Sequence, residues 1–247
     1  MIQEIVEIAV VTEASWGIGA ALALALARKG VVVAGLAREL FLPEHDRILP
    51  VAVDVRDAAD VNRAFDEIRT TVGTPTILIN NSETYPDRDI LDDTPESFMD
   101  TVRTNLGGAF NCCHAVLPHM VAAGRGRIIN VVTFADVRPM PLAAGYAVSK
   151  GALRILTRAL VADLGDRFPE IVVNDWVPGT HQPRKGIPDG VDPRIAAEWG
   201  ARLALIRSPE INGLVFLRDQ EHRPPRTLKG RVKDRFLGQR RAQVRLG

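Results

Sequence analysis

The sequence contains very little cysteine and no long apolar run. Its two cysteines, Cys112 and Cys113, are adjacent in a segment with a helical pattern. Successive side chains on a helix point in different directions, so a disulfide between them is not expected, and the chain suits a reducing cytoplasm. The longest fully apolar run, residues 20–27, is far too short to cross a bilayer. Residues 1–4 lack the basic region of a signal peptide, so we expect neither export nor a membrane partner.

Neither sign of charge is in large excess, since the formal net charge is +1. The charge is unevenly distributed, because residues 218–247 hold ten Lys or Arg against three Asp or Glu. We expect one globular domain over residues 1–217 and a basic C-terminal tail over residues 218–247. No platform of aromatic side chains accompanies the tail's charge, so nucleic-acid binding is not expected. Leu228, Val232 and Phe236 recur at helical spacing and predict a small apolar face that packs on the body or on a sister subunit.

Short apolar and β-branched runs alternate with longer helical patterns. Runs without polar alternation indicate strands that are buried on both faces, and strands that alternate with helices form parallel sheets. The pattern therefore predicts a single α/β domain, doubly wound, with about seven parallel strands and helices on both faces. The predicted strands are residues 5–12, 31–34, 51–55, 76–80, 127–132, 171–177 and 214–217, and the predicted helices include 20–29, 58–72 and 95–123, the last capped by Thr94.

Ligands bind doubly wound sheets at the carboxyl ends of the strands, so residues near those ends are candidates for a site. Tyr146 and Lys150 lie four residues apart in a helical segment and project from one helix face. An ammonium near a phenol favours the phenolate, so Lys150 would lower the pKa of Tyr146 from its reference of about 10 and make it a usable acid/base. Alone, the pair is a weak signal, because surface helices contain it by chance.

Polar residues at the other strand ends make chance a poorer explanation. Thr133 follows a predicted strand and precedes Tyr146 by thirteen residues, and Asn105 lies in the longest predicted helix. The ordered set is Thr12, Gly17-x-Gly19, Asp54-Val55, Asn80-Asn81, Asn105, Thr133, Tyr146-x-x-x-Lys150 and Pro178-Gly179. With this set the sequence resembles the short-chain dehydrogenase/reductase family over about residues 10–217.

This resemblance implies a Rossmann-like fold and an NAD(P)-dependent oxidoreductase that interconverts a ketone and a secondary alcohol by hydride transfer. Tyr146 would exchange a proton with the substrate oxygen, and Lys150 would lower its pKa and bind the nicotinamide ribose. Asn105 would support a water relay, and Thr133 would orient the substrate oxygen. The implied coenzyme-binding residues are Thr12, Ser15, Trp16, Gly17, Ile18, Gly19, Arg38, Asp54, Val55, Asn80, Asn81, Tyr146, Lys150, Pro178 and Gly179. The resemblance implies no metal. It does imply a homo-dimer or homo-tetramer formed through the long helices.

Two glycines of the family's coenzyme loops are glutamates in this chain. Glu13 replaces the first glycine of Thr-Gly-x-x-x-Gly-x-Gly, and Glu83 replaces the glycine of Asn-Asn-Ala-Gly. We expect both to flank the adenosine half of the coenzyme, where two like charges about 5 Å apart would repel by roughly 3 kcal/mol, about a hundredfold in affinity. Either the loop holds the coenzyme differently, or coenzyme binding is lost and the chain is a non-redox or partner subunit. The intact Tyr146 and Lys150 favour the enzyme.

The segments that would select coenzyme and substrate also depart from the family. Residues 35–38 contain no acid for a ribose 2′-hydroxyl, which favours NADP(H) over NAD(H) with Arg38 as the phosphate partner. Residues 180–194 are polar and short for a substrate lid, and Pro183 replaces a threonine that commonly contacts the nicotinamide. An open pocket would admit a small carbonyl or alcohol substrate, or a carrier-bound one. A nucleic-acid-binding protein that acts through the basic tail is a third alternative, which we rank last.

Overall fold

The computed structural model describes residues 7–179, 190–223 and 242–247. Within these residues eight strands form one sheet, and six α-helices pack against it. The strands are β1 (Ile8–Thr12), β2 (Val32–Ala37), β3 (Ile48–Ala52), β4 (Ile77–Asn80), β5 (Gly126–Val131), β6 (Ile171–Val177), β7 (Val215–Leu217) and β8 (Gln220–Glu221). The α-helices are α1 (Gly17–Arg28), α2 (Ala58–Thr71), α3 (Pro95–Val102), α4 (Gly108–Ala123), α5 (Ala144–Leu164) and α6 (Pro193–Leu205).

The strand order is β3-β2-β1-β4-β5-β6-β7-β8, and neighbours from β3 to β7 are parallel. The predicted doubly wound sheet is therefore confirmed. It has one strand more than the pattern predicts, because β8 pairs antiparallel with β7. A strand of two polar residues carries no apolar run, so the pattern could not show it. The order reverses between β1 and β4, which opens a crevice at their carboxyl ends.

Side chains of the central strands alternate between two apolar layers. Ala9 and Val11 of β1 pack in the layer that contains α1 and α6, whereas Ile8 and Val10 pack in the layer that contains α2 and α4. Both faces of β1 are buried, so each of its residues is apolar or hydrogen-bonded. Burying one such aliphatic side chain stabilises the fold by about 1.5–3 kcal/mol, which explains why the strands read as unbroken apolar runs.

Cys112 and Cys113 lie on α4 within the second layer, and both are buried and free. Burial raises the pKa of the Cys113 thiol to about 12 and that of the Cys112 thiol further still. Both thiols therefore stay protonated near neutral pH and serve as packing groups.

The helix predicted over residues 95–123 is interrupted once. Thr94 caps it as predicted, because its Oγ1 accepts a hydrogen bond from the backbone N–H of Ser97 at 3.2 Å. A turn of π-helix, Arg103–Gly107, then separates α3 from α4. Such a turn shifts the side chains that follow around the helix axis. It contains Asn105, which is buried beside α5.

The described C-terminal residues return to the edge of the sheet. Arg245 pairs with Gln220 in an antiparallel bridge, and Leu246 is buried in the layer that contains α1. The apolar face predicted for Leu228, Val232 and Phe236 lies outside the described residues, as does Pro183 of the predicted lid. In the part of the chain that the structure describes, no helix combines the length and the hydropathy that a bilayer crossing needs.

Candidate active site

A cleft of about 600 Å³ lies at the carboxyl ends of β1 to β4. Its walls come from the loops that follow these strands and from α3 and the π turn. This volume is within the range of small-molecule sites. Its charged residues are Glu13, Arg38, Glu39, Arg56, Glu83, Arg88 and Asp100. The cleft therefore offers cations for phosphate groups next to carboxylates that would repel them.

Glu13 opens the loop from β1 to α1 in a left-handed backbone conformation, with φ of 55°. This conformation costs a residue with a Cβ about 1–2 kcal/mol and costs glycine almost nothing. The carboxylate partly offsets the strain, because it accepts hydrogen bonds from Trp16 Nε1 at 3.0 Å and from the backbone N–H of Glu83 at 2.7 Å. Burial raises the pKa of Glu13, and these two hydrogen bonds oppose the rise. Glu13 thus ties the loop after β1 to the loop after β4.

Gly19 allows the same loop to close tightly. A Cβ at Gly19 would overlap the carbonyl oxygen of Glu13 and the side chain of Asn81. Helix α1 begins at Gly17, after Trp16, whose side chain makes no capping hydrogen bond. Amides at an uncapped helix N-terminus bind anions well, so this end of the cleft suits a phosphate. Ser15 and Trp16 line the cleft, whereas Ile18 is buried in the core.

Thr12, Asn80 and Asn81 fix the strand ends beneath the cleft. Thr12 Oγ1 accepts hydrogen bonds from the backbone N–H groups of Asn81 and Ser82, at 2.9 Å and 2.8 Å. The Asn81 side chain donates to the Thr12 carbonyl at 3.0 Å. The Asn80 side chain is directed into the interior and donates to Asn130 Oδ1 at 2.8 Å. In the structure these residues position the loops around the cleft.

Strand β2 continues to Ala37, three residues beyond its predicted end. Arg38 and Glu39 therefore both lie at the rim of the cleft. The sequence interpretation stopped at residue 38 and missed Glu39. On the neighbouring loop Asp54 binds Arg56 at 2.6 Å, and this partner holds the pKa of Asp54 below its usual range. Val55 lines the cleft beside them.

Tyr146 and Lys150 meet the carboxylate of Glu83. The Tyr146 hydroxyl donates to Glu83 Oε2 at 3.0 Å, and Lys150 Nζ lies 3.1 Å from the same oxygen. Lys150 also donates to the carbonyl of Val131 at the end of β5, at 2.9 Å. The structure thus corrects the expectation that Glu83 flanks the adenosine half. Its carboxylate lies at the proposed acid/base instead.

Asn105 connects the π turn to this group. Its side-chain oxygen accepts from the backbone N–H of Thr84 at 2.6 Å, and its amide donates to the Thr84 carbonyl and to Ser149 Oγ, at 3.0 Å and 2.9 Å. Ser149 in turn donates to the carbonyl of Tyr146 at 2.9 Å. The side chain of Asn105 therefore holds the loop after β4 against α5.

The remaining predicted residues surround the group less directly. Thr133 follows β5 by two residues, and its Oγ1 accepts from the backbone N–H of Ala135 at 3.0 Å. Pro178 is buried after β6, and Gly179 has φ of 106°. Tyr85, which the sequence interpretation missed, places its ring 4.7 Å from that of Tyr146 in an edge contact. Its position directly after the loop motif of β4 is the signal that could have indicated it.

Several features of this cleft suit the phosphate groups of a dinucleotide. Arg38 lines the cleft, the uncapped start of α1 follows the lining residue Trp16, and Gly19 packs closely against Glu13. Glu83 also lines the cleft, whereas in the described residues neither Tyr146 nor Lys150 lines it. Glu83 therefore contacts both the cleft and the proposed acid/base pair.

Comparisons with known proteins identify the family and agree with the doubly wound fold. A profile of the short chain dehydrogenase family matches residues 7–184. The chain is 34% identical over 169 residues to 2-(R)-hydroxypropyl-CoM dehydrogenase of Xanthobacter autotrophicus, which covers 63% of this chain and 68% of that protein. It is 32% identical over 182 residues to 3-oxoacyl-(acyl-carrier-protein) reductase FabG of Pseudomonas aeruginosa, covering 70% and 73% of the two chains. A gluconate 5-dehydrogenase from Burkholderia cenocepacia, solved in complex with NADP and tartrate, superposes with a TM-score of 0.75 and 26% identity, over 85% of this chain and 92% of that one.

Proposed function

Since this chain belongs to the short-chain dehydrogenase/reductase family and is an NAD(P)-dependent oxidoreductase, we propose that it interconverts a ketone and a secondary alcohol with Tyr146 as the acid/base. The observation that carries the proposal is the proximity of Tyr146 and Lys150, since Lys150 Nζ lies 5.9 Å from the centre of the Tyr146 ring and both side chains contact Glu83, which lines the coenzyme-sized cleft. A phenol beside a buried ammonium can give a proton to a carbonyl oxygen and take one from an alcohol.

The coenzyme, when bound, supplies or accepts the hydride. The chain's own residues orient the reactants and move the proton. Tyr146 transfers its hydroxyl proton to the carbonyl oxygen during reduction and recovers it from the alcohol during oxidation. Lys150, held at the Val131 carbonyl, stabilises the phenolate that remains. Asn105 and Ser149 fix the start of α5, which carries both groups.

We propose NADP(H) as the coenzyme. Arg38 follows β2 at the rim of the cleft, where a cation can bind the 2′-phosphate. Arg56 lies nearby but is already engaged by Asp54. Glu39 opposes the assignment, because an acid at this position can bind the unphosphorylated ribose. The similarity to a dehydrogenase solved with NADP supports Arg38 over Glu39.

A titration of the purified protein with NADPH and with NADH tests the function and the coenzyme choice together. We expect NADPH to bind in the micromolar range, about tenfold more tightly than NADH, because a phosphate–arginine contact at the surface contributes about 1–2 kcal/mol. Arg38→Ala should remove that difference, while Glu39→Ala should increase it. If neither coenzyme binds, the oxidoreductase assignment fails and a non-redox role takes its place.

The substrate side of the site carries exposed apolar residues. Ile90 and Leu91 follow β4, and Met140 and Leu142 follow β5. The backbone N–H of Arg88 donates to the Leu142 carbonyl at 3.0 Å, which joins the two loops. This surface suits a carbonyl or alcohol substrate with an apolar part, either free or carrier-bound. Turnover of a short ketone compared with that of a β-ketoacyl thioester would distinguish the two.

We also propose a homo-dimer or homo-tetramer formed through α4 and α5. Phe110 on α4 and both Val148 and Ile155 on α5 expose about half of their apolar side chains, and such a patch favours burial against a second copy. Phe110→Asp combined with Ile155→Asp should reduce the mass measured by light scattering to that of one chain. Ile195→Asp on α6, equally exposed, should leave it unchanged. An unaltered protein that is already monomeric would contradict the proposal.

A further inference from the structure

The backbone of Glu83 is held on both sides by side chains from other parts of the chain. Its own N–H donates to Glu13, and the N–H of the preceding Ser82 donates to Thr12 Oγ1. The N–H and the carbonyl of the following Thr84 both bind the Asn105 side chain. The loop therefore cannot shift without breaking several hydrogen bonds. Rotation about the bonds of the Glu83 side chain can redirect its carboxylate while this backbone stays in place.

Among the residues that the structure describes, the titratable side chains around the Glu83 carboxylate are those of Tyr146, Lys150, Glu13 and Tyr85. Tyr146 and Lys150 contact it from α5, and Glu13 approaches from the loop after β1. Tyr85, on the same loop as Glu83, packs against the Tyr146 ring. The Lys150 side chain is 1% exposed and that of Glu83 is 37% exposed. The ammonium is thus buried, and Glu83 supplies the negative charge beside it.

We propose that Glu83 is a positioning residue that keeps the Tyr146 phenol protonated and the Lys150 ammonium paired until its side chain turns away from them. Three effects act in the same direction. The carboxylate accepts the phenolic hydrogen, its charge repels a phenolate, and it offsets the ammonium that would otherwise stabilise the phenolate. The proposal rests on the proposed function, in which Tyr146 is the acid/base.

The same rotation connects proton transfer to access. Glu83 lines the cleft and also contacts the two α5 residues. When its side chain turns away, the Tyr146 hydroxyl is free to bind the substrate oxygen and the ammonium regains its influence on the phenol. A glutamate at this position thereby makes the Tyr146 hydroxyl available to the substrate only after the Glu83 side chain has moved.

The chain contains two tyrosines, Tyr85 and Tyr146, which allows a direct measurement without coenzyme or substrate. In a Tyr85→Phe protein, the near-ultraviolet absorbance of phenolate reports Tyr146 alone. We expect its midpoint to move to lower pH by about one pH unit or more when Glu83→Gln is added, a change of about tenfold in the ratio of phenolate to phenol. Glu83→Asp, which retains the charge on a shorter side chain, should move it less.

Glu13→Gln in the same background is the matched control, because Glu13 binds the Glu83 backbone and not the phenol. Its shift should be smaller than that of Glu83→Gln. A midpoint that is unchanged in Glu83→Gln overturns the proposal, and so does an equal shift in the control. If Glu83→Gln does not fold, as judged by circular dichroism, Glu83→Ala gives the same comparison. Since no coenzyme is used, this result is independent of whether the titration with NADPH succeeds.

Discussion

Tyr146→Phe is expected to lower turnover by about 10²- to 10⁴-fold while leaving the fold intact, because the substitution removes only the hydroxyl that we propose transfers the proton. The ring stays packed against Tyr85, so the surrounding contacts remain. Coenzyme affinity should change by only a few-fold, because Tyr146 is not among the described residues that line the cleft. Steady-state turnover with a responsive ketone and a coenzyme titration measure the two effects.

Tyr85→Phe is the control for this experiment, because it removes a hydroxyl from the neighbouring ring. It should retain most of the turnover. Equal losses in the two variants would mean that the hydroxyls act through packing or hydrogen bonding, and not through proton transfer at Tyr146. Unchanged turnover in Tyr146→Phe would rule out its role as the acid/base.

Asp175→Asn is expected to remove a pH-dependent loss of stability that the unaltered protein shows between about pH 4 and about pH 6. Asp175 lies on β6 and is 3% exposed, with its carboxylate accepting a hydrogen bond from Thr157 Oγ1 at 2.5 Å. Burial raises the pKa of Asp175 from 3.8 to about 6, and the Thr157 hydrogen bond and the charge of Arg154 oppose the rise.

The direction in which stability changes with pH follows from which state, folded or unfolded, binds the proton of Asp175 more tightly. The folded state does, so the contribution of Asp175 to stability is present below the unfolded pKa and is lost as the pH rises through about 6. A difference of about two pKa units corresponds to about 3 kcal/mol in the free energy of unfolding. The asparagine variant has no such group, and its amide oxygen can still accept from Thr157.

Chemical denaturation at a series of pH values tests this prediction. The unaltered protein should lose about 3 kcal/mol more than Asp175→Asn between the acidic and the neutral ends of the range. Asp66→Asn on α2, where the aspartate side chain is 69% exposed, should retain the full loss. If the free energy of unfolding changed with pH by the same amount in the unaltered protein and in Asp175→Asn, the pKa of Asp175 would not be raised in the folded state.

The sequence predicted the fold well, because its information about strands and helices is local. The alternation of apolar runs and helical patterns predicted every strand from β1 to β7, although it placed the end of β2 three residues too early and the whole of β3 three residues too late, at residues 51–55 instead of Ile48–Ala52. The error in β2 matters at the site, because Glu39, which lines the cleft, was left out of the predicted site residues. The π turn was also not predictable, because one inserted residue in a helix hardly alters the apolar spacing of its neighbours.

The sequence by itself determined the family and indicated Tyr146 and Lys150 as the candidate acid/base pair, because their order and spacing and those of the residues at the strand ends can be read along the chain. Only the tertiary structure decided which groups Glu83 contacts. Its partner Tyr146 is 63 residues away, and the direction of its side chain depends on the loop that Glu13 and Asn105 hold. The same is true of Asp175, whose affinity for a proton is set by burial among residues distant in sequence. A residue's type is fixed locally, whereas its charge state and its contacts are fixed by the groups that folding brings next to it.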